Sequence, residues 1–200
     1  MPATKTNVFN RAATFLGKER FSSYLDEKGA ARIMREIYDE TLDYMLEQHP
    51  WSFAKESIEL SYVGAADIHT GWEREYALPV NFLNVVSVNT SNVFAKSINH
   101  YEIMGDRLFS NETPLYLKYV KRETTVSRFS AKFINAFSYA IARDTAKALT
   151  EETGLIEFME RKAEHSLAEA KAMDQRKQVQ PQGYKTQYPS YNSRRTPWIC

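Results

Sequence analysis

At 200 residues the chain has room for one core, or for two small sub-domains that share an interface. A hydrophobic content of 43% and an aromatic content of 13% suit a folded soluble protein, and a formal net charge of +1 lacks the basic excess of a general nucleic-acid binder. The one cysteine, Cys200, allows no intrachain disulfide, no apolar run approaches the ~20 residues of a membrane span, and MPATKTNVFNRAATF holds no apolar signal core; the expectation is a protein that is cytosolic or assembled in a cytosol.

The first predicted element is a short helix over 7–18. Val8, Ala12, Phe15 and Leu16 fall on one face, and Gly17 ends it. Phe21 and Tyr24 sit in the connection that follows. A second helix over 30–49 places Ile33, Met34, Ile37, Tyr38, Leu42, Met45 and Leu46 on one broad stripe. Asp26 and Gly29 mark its entry. Pro50 marks its exit, because a residue before proline avoids helical geometry. Trp51 and Phe53 follow and are expected to be buried at the hand-over to the first strand.

From Trp51 to about Val120 the pattern is that of strands. Residues 56–63 alternate Ile58, Leu60 and Tyr62 against Ser57, Glu59 and Ser61, which predicts one half-buried strand. Residues 64–71 read as a loop. Residues 75–79 and 82–88 predict a strand interrupted by Pro79, at an edge or a bend. Tyr101–Phe109 reads as a hairpin turning at Gly105 and Asp106. Residues 115–120 predict a last strand with Leu115, Leu117 and Tyr119 on one face.

Helix returns at Ser130, with Phe133, Ile134, Phe137, Ile141 and Leu149 as its apolar stripe. Ala136, Ala140, Ala142, Ala146 and Ala148 allow close helix packing. Gly154 is expected to break the run. The final helix, 155 to about 176, carries Ile156, Met159, Ala163, Leu167 and Ala170 on one side and charges on the others. The expected fold class is α+β: a helical bundle built from both ends of the chain, with an inserted antiparallel β region and an extended C-terminal arm. The segments are 1–50 and 128–177 for the bundle, 51–127 for the β insertion and 178–200 for the arm.

The arm reads QVQPQGYKTQYPSYNSRRTPWIC. It has no acidic residue, three prolines (Pro181, Pro189, Pro197), three basic residues (Lys185, Arg194, Arg195) and four large aromatics (Tyr184, Tyr188, Tyr191, Trp198). An extended segment cannot bury such rings by itself. The pattern predicts docking onto a partner, with ordering on contact.

Catalytic patterns are sparse. His49, His69, His100 and His165 are scattered without metal-ligand spacing, so no metal site and no cofactor are expected. There is no Gly-x-Ser-x-Gly elbow and no glycine-rich phosphate loop. Glu36, Asp39, Glu40, Asp43 and Glu47 line the second helix, interleaved with Lys28, Arg32 and Arg35, which reads as solvated pairing at i, i+4 rather than as a catalytic carboxylate pair. Lys118, Lys121, Arg122 and Arg128 cluster about the last strand. They suit salt bridges to a neighbouring subunit or nozzle, or alternatively contacts to phosphates.

The order of features resembles the head-to-tail adaptor of short-tailed bacteriophages, the tail tubular protein A or gatekeeper family. The resemblance runs from about Asn7 to Lys177. It rests on Gln48-His-Pro-Trp-Ser-Phe53 at a helix end, Tyr76-Ala-Leu-Pro79 leading to Phe82-Leu-Asn-Val-Val-Ser-Val88, and the strand pair Tyr101–Phe109. A strand ending in Tyr119 and Val120 then enters an alanine-rich helix followed by a charged one. The resemblance implies a structural, non-enzymatic role in the virion tail below the portal, after assembly in the host cytoplasm. It implies a homo-oligomeric ring of twelve subunits that joins the portal protein to the tail nozzle protein and continues the DNA channel. Tyr184, Tyr188, Tyr191, Arg194, Arg195 and Trp198 would then be portal-docking residues. The near-zero net charge suits a channel through which DNA passes without being gripped. Two other readings stand beside it: a tail-associated peptidoglycan hydrolase, for which no motif is present, and a DNA-binding module built on Lys118, Lys121 and Arg122.

Overall fold

The structure is a computed structural model that describes residues 3–27, 29–92 and 97–178. Four helices and seven strands follow in the order α1 (Lys5–Phe15), α2 (Gly29–Glu47), β1 (Lys55–Glu59), β2 (Ser61–Ala65), β3 (Arg74–Ala77), β4 (Phe82–Asn89), β5 (Glu102–Met104), β6 (Arg107–Ser110), β7 (Tyr116–Lys121), α3 (Ala131–Leu149) and α4 (Thr153–Gln178). The fold is α+β, with helices at both ends of the chain and the strands between them.

Helix α1 starts at Thr4, whose side chain accepts a hydrogen bond from the Asn7 amide at 3.2 Å. It ends two residues before Gly17, whose φ of +65° lets the Lys18 amide reach back to the Ala13 carbonyl at 2.8 Å. Buried Asn10 then fixes the connection: its Nδ2 donates to the Phe21 carbonyl at 2.9 Å, and its Oδ1 accepts from the Phe21 amide at 2.6 Å. Ser130 caps α3 by accepting from the Phe133 amide at 3.2 Å. The alanines predicted to bring helices together do so: Ala136, Ala140, Ala142 and Ala146 are buried where α3 packs on its neighbours, while Ala148 is exposed.

The core of the bundle is largely aromatic. Trp51 is fully buried, with its ring 4.9 Å from Phe133, and its Nε1–H donates to the Met45 carbonyl at 2.8 Å. Phe53 is only half-buried, stacked against Trp51 and edge-on to Phe133. Phe9, Tyr38 and Phe137 continue the cluster between α1, α2 and α3.

The strands form two antiparallel sheets, ordered β1-β7-β4 and β2-β3-β6-β5. The expected single strand over 56–63 is two strands in different sheets. The switch falls at buried Leu60, whose amide bonds the Leu115 carbonyl at 2.8 Å, and the register shifts again between Tyr62 and Gly64. Tyr62 is therefore 59% exposed instead of sharing the buried face of Ile58 and Leu60. Residues 75–79 and 82–88 likewise lie in separate sheets. Pro79 has no amide for a ladder, its carbonyl accepts from the Phe82 amide at 3.0 Å, and the chain turns between β3 and β4. The Tyr101–Phe109 hairpin is present, with Gly105 at φ +60° in its turn.

Strand β7 joins the two cores. Leu117 and Tyr119 belong to the cluster between the sheets, and Val120 on the opposite face belongs to the bundle core. Two helix limits differ from expectation. Gly154 lies inside the first turn of α4, and the break falls at residues 150–152 before it. Gln178, expected in the arm, is the last residue of α4.

Candidate functional site

The docking residues expected on the arm, Tyr184, Tyr188, Tyr191, Arg194, Arg195 and Trp198, lie outside the described residues. What is described is the point from which that segment starts, the C-terminal end of α4, and a buried polar knot holds it.

The knot centres on Asp174, which is 2% exposed. Helix α2 ends near Glu47, and Pro50 turns the chain sharply so that Ser52 faces the end of α4. The Ser52 amide donates to Asp174 Oδ2 at 2.9 Å, and its Oγ donates to Oδ1 at 2.6 Å. His49, also buried, places Nε2 at 3.2 Å from the same carboxylate. One turn beyond Asp174, Gln178 donates to Asp174 Oδ2 at 2.5 Å and to the Pro50 carbonyl at 2.9 Å. Gln178 Oε1 accepts from Lys55 Nζ of β1 at 2.8 Å. Six residues from three segments thus meet around one carboxylate and one side-chain amide.

Burial by itself raises the Asp174 carboxyl, but the hydrogen bonds from Ser52 and Gln178, with His49 alongside, outweigh it and hold the group below its ordinary value. Burial lowers His49, and the cations Lys171 and Lys55 lower it further against the pull of Asp174. These effects favour the neutral ring, and in the tautomer that carries its proton on Nε2 it donates to the carboxylate.

The knot is missing from the sequence reading. Its signal is one position. Asp174 continues the buried line of Met159, Ala163, Ser166 and Ala170, so a carboxylate occupies a place where the stripe calls for a small or apolar residue.

The cluster Lys118, Lys121 and Arg122 is divided by the two-residue period of β7. Lys118 shares the bundle-facing side with Val120 and lies near Lys55, whose charge it disfavours. Lys121, on the other side, pairs with Glu56 at 3.1 Å and Glu123 at 3.7 Å. Arg122 reaches α2, with Nε at 2.6 Å from Asp43 and Nη2 at 3.2 Å from Asp39. Arg128 pairs with buried Glu123 at 2.8 Å. Lys121 and Arg122 are therefore matched by carboxylates within the chain.

The same contacts explain part of the acidic row on α2. Arg32 pairs with Glu36 at i, i+4, as expected, but Asp39 and Asp43 serve Arg122, and Arg35 turns to Glu27. Lys28 lies outside the described residues. Among the described residues no group of three His, Cys, Asp or Glu side chains is placed to hold a metal ion, and no helix is long and apolar enough to cross a membrane. No protein-family model matches the chain, and no curated protein matches it.

Proposed function

We propose that this chain is a structural subunit of a short-tailed phage virion: a head-to-tail adaptor that assembles as a ring between the portal protein and the tail nozzle protein and continues the DNA channel. On this reading it performs no chemistry. The observation that carries it is the anchored start of the C-terminal arm. Asp174 and Gln178 pin the end of α4 to the elbow between α2 and β1, where the bundle meets the β region. An aromatic, proline-stiffened arm that starts from a fixed point can be presented to the same place on a partner by every subunit of a ring. Gln48-His-Pro-Trp-Ser-Phe53, the first motif of the family resemblance, is the same stretch that supplies His49, Pro50 and Ser52 to that anchor.

The pairing of Lys121 and Arg122 with carboxylates inside the chain supports a folded role for them and leaves little free positive charge there to grip DNA. The test is electron microscopy of the protein mixed with the portal protein of the same virus. Closed rings stacked coaxially on the portal are expected. Portal particles without added density, at protein concentrations well above micromolar, would overturn the reading.

A further inference from the structure

We infer that the Asp174 knot is a releasable latch, closed at neutral pH and opened by mild acid, whose opening hands the last two turns of α4 to the C-terminal arm. The latch stands on the described chain and needs no partner; its use in presenting the arm rests on the adaptor reading.

The first observation concerns what holds residues 171–178 down. Up to Ala170 the helix is fixed by apolar or small side chains, with Met159, Ala163 and Ala170 buried and Leu167 partly buried. Beyond Ala170 the buried residue is Asp174 alone: Ala172, Met173, Gln175, Arg176 and Lys177 are exposed, and Lys171 and Gln178 are partly so. The end of α4 is therefore docked through polar bonds that converge on one carboxylate. An apolar seam fails gradually as side chains are lost, but this contact fails when one group changes state.

The second observation concerns the groups that face the knot. From α2 and the elbow come Gln48, His49 and Ser52; from β1, Lys55; from β7, Lys118 beside Lys55; from α4, Lys171 and Gln178. Asp174 is the one carboxylate among them, against three lysines. A further positive charge on His49 would enter a buried pocket already facing Lys55 and Lys171. When the latch opens, His49 returns to its ordinary value near 6.5 and takes up a proton. The open form thus binds the proton more tightly than the closed form. The latch is fully favoured above that value, and its advantage declines as pH falls below it. Asp174 works in the same direction at lower pH: its depressed value in the closed form means that closure is lost as the carboxylate is protonated. Between pH 7.5 and 5 the operator is His49. It acts as a positioning residue through Asp174.

The measurement is hydrogen exchange of the full-length protein, read by mass spectrometry of peptides and corrected for the intrinsic pH dependence of exchange. In the wild type, protection of 171–178 is expected to fall between pH 7.5 and 5 while α1 and α3 keep theirs. Asp174→Asn should lose about tenfold or more in protection there already at neutral pH, the scale of a charge-assisted hydrogen bond to a buried carboxylate. His49→Gln, which keeps a donor and cannot take a proton, should stay protected at both pH values. A wild-type segment 171–178 with the same protection at both pH values overturns the latch. So does a His49→Gln variant with the wild-type pH response, or an Asp174→Asn variant that either keeps full protection or loses it equally in α1 and α3. None of these outcomes depends on the portal, so failure of the latch and failure of the adaptor reading are separately visible.

Discussion

Trp51 shows how much a single residue commits. It follows Pro50 directly, so its direction is set by the break in α2, and its indole fills the space between α2 and α3 while its N–H satisfies the Met45 carbonyl. Trp51→Ala should cost about 3–5 kcal/mol, the scale of a large aromatic truncated in a core; urea unfolding of the two proteins checks it, and a cost under about 1 kcal/mol would contradict the assignment. This residue is legible in the sequence because a large aromatic after a helix-ending proline has few places to go. Asp174 is not legible in the same way. Among the many charges of α4 an aspartate reads as solvated, and only its position on the buried line sets it apart. The pairing of Arg122 is not legible for a related reason: its partners Asp39 and Asp43 lie on α2, about 80 residues earlier in the chain, and no local spacing links them. Phe53 is only half-buried, beside the edge-on Trp51–Phe133 pair and in contact with both rings.

The elements are legible where a period runs long. Helices α2, α3 and α4 each hold a stripe over several turns, and the small residues of α3 identify its tight faces. Ala142 is fully buried in α3. Ala142→Leu should therefore overpack the bundle and cost about 1–3 kcal/mol, checked by the midpoint of thermal or denaturant unfolding; a neutral or stabilised variant would mean that the interface has room. Strands are legible as segments and not as partners. Residues 56–63 alternate as one strand should, yet the chain changes sheet at Leu60 because the Leu60 amide is taken by Leu115. A period of two reports that one face is buried. It does not report against which sheet, and both sheets bury their faces in this region. Strand β7 makes the same point from the other side, since Val120 and Tyr119 are neighbours in sequence and belong to different cores.

At the scale of the whole molecule the α+β plan, with helices from both ends of the chain around a central β region, follows from the order of periods. The anchoring of the end of α4 does not, because the sequence places Gln178 in the arm and the structure keeps it in α4 with Pro50, Lys55 and Asp174 as partners. A chain ending at Gln178 retains the whole knot and both cores, so its melting temperature should match that of the full chain within a few degrees. That makes 1–178 a sound comparison for the central claim, that the segment after Gln178 binds the portal while the folded body serves the ring. Portal pull-down with the full chain and with 1–178 at equal concentration tests it most directly. The account predicts strong recovery of portal by the full chain and a large loss by 1–178, with the loss reproduced in part by Trp198→Ala, since buried aromatics dominate such contacts. Equal recovery of portal by the full chain and by 1–178 would contradict it.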